Sequence, residues 1–524
     1  MQKKNSLYII LFFMAIQLFA SDKIHDQNRL YEKDKLYQLI EALYLCSTEI
    51  NPGIDMILTY QDAKDMLALW KQRHPDPDQN QRNILSAIDS ILVNVNNKNR
   101  ISVRTGIDYL YHNVPDCTVT DPFYRKFRDQ DFETKYDERG RFFDATLDMP
   151  LYKSLFLSTR TSLKNDWKYF NKRQSDFPRA LLDFNLDVNE KSILSCKLDN
   201  MFIVLGRDRL NVGTSEFSKL IIDQSMPPTN HFLFSIKYKD DLSFNFIIAW
   251  MKNALLRDET PKILYLHRLS YRFFNRAKLS ITEMQMTNQD LNSKYINPFM
   301  IYHNEYDYAS QRNIITTADL EVALGYRSKF YSSFAVDEID FKSIETNGYK
   351  NREAWGLIFG LKQIQPFGLF NSLWAVEWTK LTKWLYNHDF PADNFYSINY
   401  VYEEKQETIN PDEFHRFIGH DLGSNAQAWN TKFQWHGLNL SYKYVEQGKI
   451  PILELAYTQV ADSVKSFNST FGIKYKEHFW NDRIELITAF YHTESKNFHQ
   501  NRGLDKSYSE FWLSLNYRIL NIKW

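Results

Sequence analysis

Cysteine is nearly absent, and the three present, Cys46, Cys117 and Cys196, are odd in number and far apart. They exclude a disulfide framework and show no metal-ligand spacing, which leaves buried or unpaired thiols. Glycine is also scarce, 16 residues in 524, so tight turns must rely on Asn, Asp and Lys, as at Lys239-Asp240-Asp241, Asn387-His388-Asp389 and Asn481-Asp482. Charge of one sign is missing as well: 64 Lys+Arg face 64 Asp+Glu, a formal net charge of 0. No bulk electrostatic case for nucleic acid follows. After the first twenty residues, no uncharged apolar run reaches the roughly 18 residues of a membrane-crossing helix. If the mature chain sits in a membrane, it crosses as a barrel.

Aromatic residues, by contrast, are plentiful, 16 % of the chain with 32 Tyr and 38 Phe, while mean hydropathy is low at −0.49. Strands that send alternate residues to a polar interior and gather aromatics at two interfaces have this composition. A soluble all-β protein has it too, so the pattern along the chain must decide. At the N-terminus, Lys3 and Lys4 precede an apolar run from Leu7 to Ala20 that is too short to span a bilayer. Residues 1–20 are expected to be a secretory signal peptide. No cysteine follows the run, which argues against a lipid anchor.

Residues 21–99 read as a small helical region. Leu36, Leu39, Ile40, Leu43 and Tyr44 recur at helical spacing, and Asn51-Pro52-Gly53 breaks that helix. Thr59 with Asp62 forms a capping-box pattern ahead of Ala63, Met66, Leu67 and Trp70. Ile84, Ile88, Ile91, Leu92 and Val95 mark a third helix.

At Ile101 the period changes from 3.6 to 2 and stays there to the end. Ile101, Val103, Thr105, Ile107, Tyr109 and Tyr111 share one side of an extended chain. The clearest case is Leu242, Phe244, Phe246, Ile248 and Trp250 against Ser243 and Asn245, preceded by Phe232, Phe234, Ile236 and Tyr238. That pair reads as an antiparallel hairpin with one apolar face. Similar alternation recurs down the chain without a linker rich in Pro, Gly or Ser, so residues 100–524 are expected to form a single large antiparallel barrel. At roughly 24 residues per strand and connection, it would have about 18 strands. The last strand changes phase between Phe511–Ile519 and Leu520–Trp524, which predicts a bulge near Ile519-Leu520. Its terminal Trp524 resembles the aromatic ending by which outer-membrane barrels are recognised by the barrel assembly machinery.

Several segments resemble Wzi-type capsule-assembly proteins of the outer membrane. Gly206-Arg207, Gly213, Leu220-Ile221-Ile222 and Met226-Pro227-Pro228 fall in the family's order, although Val212 stands where the family has Trp and Ser215 and Ser218 replace two glycines. Tyr295 to Phe299 with Tyr302-His303-Asn304-Glu305, then Phe334 to Asp340 including Asp337 and Glu338, then Ile418-Gly419-His420-Asp421-Leu422-Gly423, follow in sequence. The resemblance covers roughly residues 100 to 524. It implies an outer-membrane barrel of about eighteen strands in a Gram-negative bacterium, helical residues on the periplasmic side, and a role in binding or anchoring capsular or surface polysaccharide. It implies no catalysis and no cofactor.

The candidate site residues carry plainer readings beside functional ones. Arg207 and Arg209 share a parity, and lipid is forbidding to charge, so both are expected to face the lumen. Asp337 and Glu338 are candidate counter-charges. An internal salt-bridge network is the plain reading; recognition of an acidic glycan by the Arg forks is the functional one. His303, Asn304, Glu305, His420 and Asp421 match no metal or nucleophile motif, so loop packing or lumen hydrogen bonding outweighs catalysis. Trp374, Trp378, Trp384 and Tyr386 are expected in an interfacial girdle rather than against sugar rings. The rival functions are a porin-like or substrate-specific channel and an outer-membrane hydrolase.

Overall fold

The structure is a computed structural model that describes residues 29–30, 35–52, 58–93, 100–113, 142–152, 154–165, 175–176, 184–239, 241–251, 262–287, 291–302, 312–325, 327–339, 353–367, 370–386, 401–405, 413–448, 464–480, 483–500 and 502–523. The expected signal peptide and Cys117 lie outside them. Three helices open the described chain: α1 (Lys35–Cys46), α2 (Tyr60–Arg73) and α3 (Gln79–Val93). Their apolar stripes meet on Leu43, Tyr44, Trp70 and Ile88, all buried. The capping box is present in full: the Thr59 side chain accepts from the Asp62 N–H at 3.1 Å, and the Thr59 N–H donates to Asp62 Oδ2 at 3.0 Å. Cys46 and Cys196 are free thiols, and burial pushes the Cys46 thiol up to about 11.

Eighteen strands build the barrel wall among the described residues: β1 (Arg100–His112), β2 (Phe143–Tyr152), β3 (Leu155–Asn165), β4 (Phe184–Leu198), β5 (Met201–Asp208), β6 (Thr229–Tyr238), β7 (Leu242–Met251), β8 (Lys262–Phe273) and β9 (Ala277–Thr287). The second half is β10 (Arg312–Gly325), β11 (Ser328–Ile339), β12 (Glu353–Phe367), β13 (Phe370–Leu381), β14 (Ala426–Trp435), β15 (Leu438–Gln447), β16 (Ser466–Phe479), β17 (Ile484–Lys496) and β18 (Lys506–Lys523). Each pairs antiparallel with its neighbour in sequence, and β18 closes the ring on β1 from Glu510↔His112 to Lys523↔Arg100. A two-residue strand, Ser175–Asp176, adds to β1. The predicted bulge is there, as a register shift between Arg518 and Leu520.

The period-2 pattern decides which way each side chain points. Leu205, Leu269, Tyr271, Ile281, Phe359, Trp374, Trp429 and Leu515 are exposed on the outer wall, while Asn245, Arg268, Thr282 and Asp319 are buried on the inner one. This inverts the soluble rule, with apolar residues outside and a filled interior, the pattern of barrels whose outer face meets hydrocarbon. Inside, Arg268 pairs closely with Asp319 and bonds Thr282 Oγ1 at 2.6 Å.

The two ends differ. Strands β6 and β7, β8 and β9, β10 and β11, and β14 and β15 are joined by turns of two or three residues, at 239–241, 274–276, 326–327 and 436–437. Lys239, Asn275 and Arg327 take positive φ there, filling positions that glycine usually holds. At the other end lie longer connections such as 252–261, 288–311 and 382–425.

The helices close the short-turn end. The Ile50 N–H donates to Asn275 O at 2.8 Å, and the helical core continues onto Ile364 and Leu373 of the inner wall. Asp62 accepts from Lys237 at 2.7 Å and Lys197 at 3.1 Å. Burial alone would raise its carboxyl; Lys237 and Lys197 outweigh burial and hold it well below the carboxylate range. Asp62→Ala removes the carboxylate half of the α2 capping box and strands Lys197, whose side chain is nearly buried. Docking of residues 35–93 should weaken by about 3–5 kcal/mol, read as faster amide exchange in the helices with strand protection unchanged.

Candidate functional site

Between β5 and β6 the chain does not cross the short distance to the next strand. Residues 209–228 turn inward and fill the lumen. Val212 and Ile222 bridge the segment by reciprocal backbone bonds of 2.8 and 3.3 Å. The Asp223 carboxylate caps its own turn, accepting from the Lys219 N–H at 3.1 Å and the Ser225 N–H at 2.8 Å. Leu210, Val212, Leu220, Ile221, Ile222 and Met226 are all buried, packed on inward residues that include Ile247, Leu264, Met284, Ile315 and Ile358. This is an apolar core in the interior of a barrel whose inner wall is otherwise polar. Nothing in a water-filled pore would need it.

Loop residues from the long-connection end clamp the plug from above. The Tyr386 hydroxyl donates to Leu220 O at 2.8 Å and accepts from the His420 N–H at 3.0 Å. The Asp223 N–H donates to Ile418 O at 2.8 Å, and the Asp421 N–H to Ser218 Oγ at 2.9 Å. Gly419 is required here, since a Cβ would stand 2.6 Å from the Tyr386 ring. Burial pushes the Tyr386 hydroxyl up, and Asp337, Asp223 and Asp421 add to it against the bond from His420. Asp223 is likewise raised by burial and by Asp421. Tyr386→Phe should cost about 1–3 kcal/mol of local stability, because it leaves a buried carbonyl and a buried N–H without their partner. Hydrogen exchange at His420 and along 218–223 should accelerate while the strands keep their protection.

Charge clamps the plug from below and ties it to the helices. Glu216 pairs closely with Lys432 on β14 and accepts from Lys362 on β12 at 2.7 Å. Lys362 also reaches Glu41 on α1 at 2.6 Å; Glu41 takes Lys329 on β11 at 2.6 Å. Lys329 continues to Glu321 on β10 at 2.9 Å, and Glu321 to Lys278 on β9 at 2.5 Å. Four lysines and three carboxylates thus alternate across the lumen. Burial alone would raise the Glu216 carboxyl, but Lys362 and Lys432 hold it well below the usual range. Beside it, Glu377 accepts from Ser215 Oγ at 2.7 Å, the Tyr331 hydroxyl at 2.8 Å and the Glu216 N–H at 3.2 Å. Tyr331 lies flat over Gly360, where a Cβ would sit 2.1 Å from the ring.

The expected site residues are distributed, not gathered. Arg209 bonds Gln224 O at 3.1 Å and Met226 O at 3.4 Å, holding the plug's return inside the lumen. Arg207 differs: its register opposite Asn230 and Ser192 places it on the outward row, at the rim beyond the apolar band. The shared parity fails because the strand ends at Asp208, so Arg209 is no longer extended. Asp337 is buried at a register shift of β11; Glu338 follows it on the same strand. His420 is buried, with its ring against Asp421 at 3.1 Å, and Asp421 also lies 3.8 Å from Lys443. His303, Asn304 and Glu305 lie outside the described residues. Among the described residues no cluster of three His, Cys, Asp or Glu is placed to hold a metal. Trp374 and Trp378 are on the outer wall as expected, stacked among Phe433, Phe359 and Trp429. Tyr386 is not in the girdle but over the plug. The ladder of Lys278, Glu321, Lys329, Lys362 and Lys432 was foreshadowed only by charges recurring at inward parity within strands.

No protein-family model matches the chain, and no curated protein matches it in sequence. Solved structures do. Wzi, described as an outer-membrane protein involved in group 1 capsule assembly in Escherichia coli and a carbohydrate-binding β-barrel, superposes with a TM-score of 0.58 at 11 % identity, over 93 % of this chain and 99 % of its own. OccK3 (OpdO) of Pseudomonas aeruginosa gives 0.42 at 11 % identity, over 81 % of this chain and 96 % of its own. OccK1 (OpdK) of the same organism gives 0.43 at 9 %, over 81 % and 99 %. The first likeness shows the fold: this chain has the closed eighteen-stranded architecture of outer-membrane barrels.

Proposed function

We propose that the chain is an outer-membrane protein of a Gram-negative bacterium that binds or anchors capsular or another surface polysaccharide at the cell surface, without catalysis. In this reading residues 1–20 direct export, 21–99 lie in the periplasm against the short-turn mouth, and 100–524 form the barrel, inserted by the assembly machinery. Short turns on the periplasmic side and long loops outside are the general arrangement of such barrels. The observation that carries the reading is the double closure of the lumen, by the apolar plug 209–228 and by the helices beneath it. A barrel that is sealed across its middle serves better as a rigid platform for its outer loops than as a route for solutes. The carbohydrate binding described for Wzi supports the same direction.

Two experiments test it. Fractionation with a heat-modifiability gel should place the protein in the outer membrane with a band that shifts on boiling; an unshifted band from a soluble fraction would overturn the barrel in lipid. Deletion of the gene should release polysaccharide into the medium, and unchanged cell-associated polysaccharide counts against anchoring. The channel reading predicts single-channel steps from the intact protein in a planar bilayer. The hydrolase reading predicts loss of phenotype when His303, Glu305, His420 and Asp421 are replaced by Ala.

A further inference from the structure

One region of the outer wall does not present itself to lipid. Residues 291–302, after β9, fold back over β7–β10 and bury Phe246, Ile248, Ile263, Tyr265 and Ile314 beneath Tyr295 and Tyr302. The opposite side of this strap is apolar and exposed, with Leu291, Ile296, Phe299 and Ile301 turned outward. Beneath it the outward rows are unexpectedly polar. His267 and Glu283 face one another in register, and Gln285 and Arg312 lie on the same rows toward the long-loop end.

The bonding of these groups is incomplete. His267 Nε2 pairs with Glu283 at 3.0 Å, and the Tyr302 N–H donates to the same carboxylate at 2.8 Å, which accounts for Glu283. Arg312 is 8 % exposed; its guanidinium lies 5.3 Å from the Tyr295 ring, and among the described residues no carboxylate pairs with it. Among the described residues, its Nη1, both side-chain polar atoms of the fully buried Gln285, the Tyr302 hydroxyl and His267 Nδ1 have no hydrogen-bond partner. A buried cation without a counter-charge is costly, and so are buried donors left unpaired. That so many occur in one patch, on a wall bathed in hydrocarbon, calls for an anionic group with several acceptor oxygens.

We propose that this patch binds the phosphate-bearing headgroup of an outer-leaflet glycolipid, with Arg312 as the charged contact and the apolar strap lying among the acyl chains. Arg312 opens β10 at the long-loop end, which is the depth of a headgroup and not of chain termini. Guanidinium forks suit phosphate. The inference rests on the wall being in lipid with the long loops outside.

The test uses the full-length protein, folded in detergent and checked by its shift on boiling, so that failure of the barrel shows separately. Lipid A carrying its phosphates, lipid A stripped of them, and inorganic phosphate are titrated with native mass spectrometry as readout. Retention of the phosphorylated lipid is expected, weaker by about tenfold or more in Arg312→Gln and for the stripped lipid, with Arg312→Lys in between. Equal binding of the two lipids, or unchanged binding by a heat-modifiable Arg312→Gln, overturns the proposal. Displacement by inorganic phosphate at comparable concentration overturns the lipid as its source.

Discussion

Replacing residues 210–227 by a short Gly/Ser linker, together with Asp62→Ala, should turn an electrically silent barrel into an open one. The plug supplies Leu210, Val212, Leu220, Ile221, Ile222 and Met226 to a dry cluster that spans the lumen, whereas the ring itself is held by backbone pairing from β1 round to β18. Removing the plug therefore leaves the wall intact and exposes an interior lined by Lys362, Lys432, Glu377 and Asp319. A barrel of this strand number is wide enough for a continuous water column. Planar-bilayer recordings should change from few or no events to steady steps of porin size once the helices are also loosened, most simply by pairing the linker with Asp62→Ala. If the intact protein already conducts at that level, the plug is not a seal and the platform reading fails. If the double variant stays silent while remaining heat-modifiable, something else closes the lumen.

The contrast between wall and plug also marks what the amino-acid pattern could reveal. Barrel strands bury one row and expose the other, so Phe244, Phe246, Ile248 and Trp250 announce β7 by alternation alone; a slip in the same alternation gives the bulge near Leu520, and the strand number follows from the length of the β region. Helix α2 is equally legible because Thr59 and Asp62 state its start in side-chain chemistry. The plug obeys neither period. Leu220-Ile221-Ile222 is a run with both sides buried, and what surrounds it comes from strands far away in sequence. Its place in the lumen was therefore not readable from local pattern, and its ionic clamp was hinted at only by charges at inward parity. Glu41 and Lys362 are joined across 321 positions, and no local pattern couples them. Arg207 shows the opposite limit: it was placed in the lumen because lipid is forbidding to charge, but it is the last outward residue of a strand that ends at Asp208, at the rim where that exclusion relaxes. The strap at 291–302 entered only as part of the family resemblance, and it carries a turn in which the Asn297 side chain accepts from the Phe299 N–H at 3.2 Å. What it covers depended on three-dimensional neighbours.

Acid should undock the helices before it unfolds the barrel, and Glu41→Gln should remove much of that sensitivity. Burial alone would raise the Glu41 carboxyl, but Lys329 and Lys362 outweigh it and lower its value from 4.5 to about 2. Asp62 moves in the same direction against Lys237 and Lys197. For a carboxylate depressed in the folded state, the stabilisation is complete above the unfolded value and is lost as pH falls toward the folded one. The contribution of Glu41 should thus be whole above about pH 4.5 and gone near pH 2, amounting to on the order of 3 kcal/mol. Strand pairing has no such dependence, so amide exchange in α1 to α3 should accelerate through this window while β7 to β13 remain protected. In Glu41→Gln, Lys329 keeps Glu321 and Lys362 keeps Glu216, so no lysine is stranded. The helices should then sit less firmly at neutral pH, and their exchange should rise less on acidification, the remaining slope coming from Asp62. An unchanged pH profile in Glu41→Gln would mean that apolar packing on Ile364 and Leu373, not the ladder, holds the helical region in the mouth. Raised salt separates the two causes further: a ladder this deeply buried is screened little, whereas docking by surface charge would weaken.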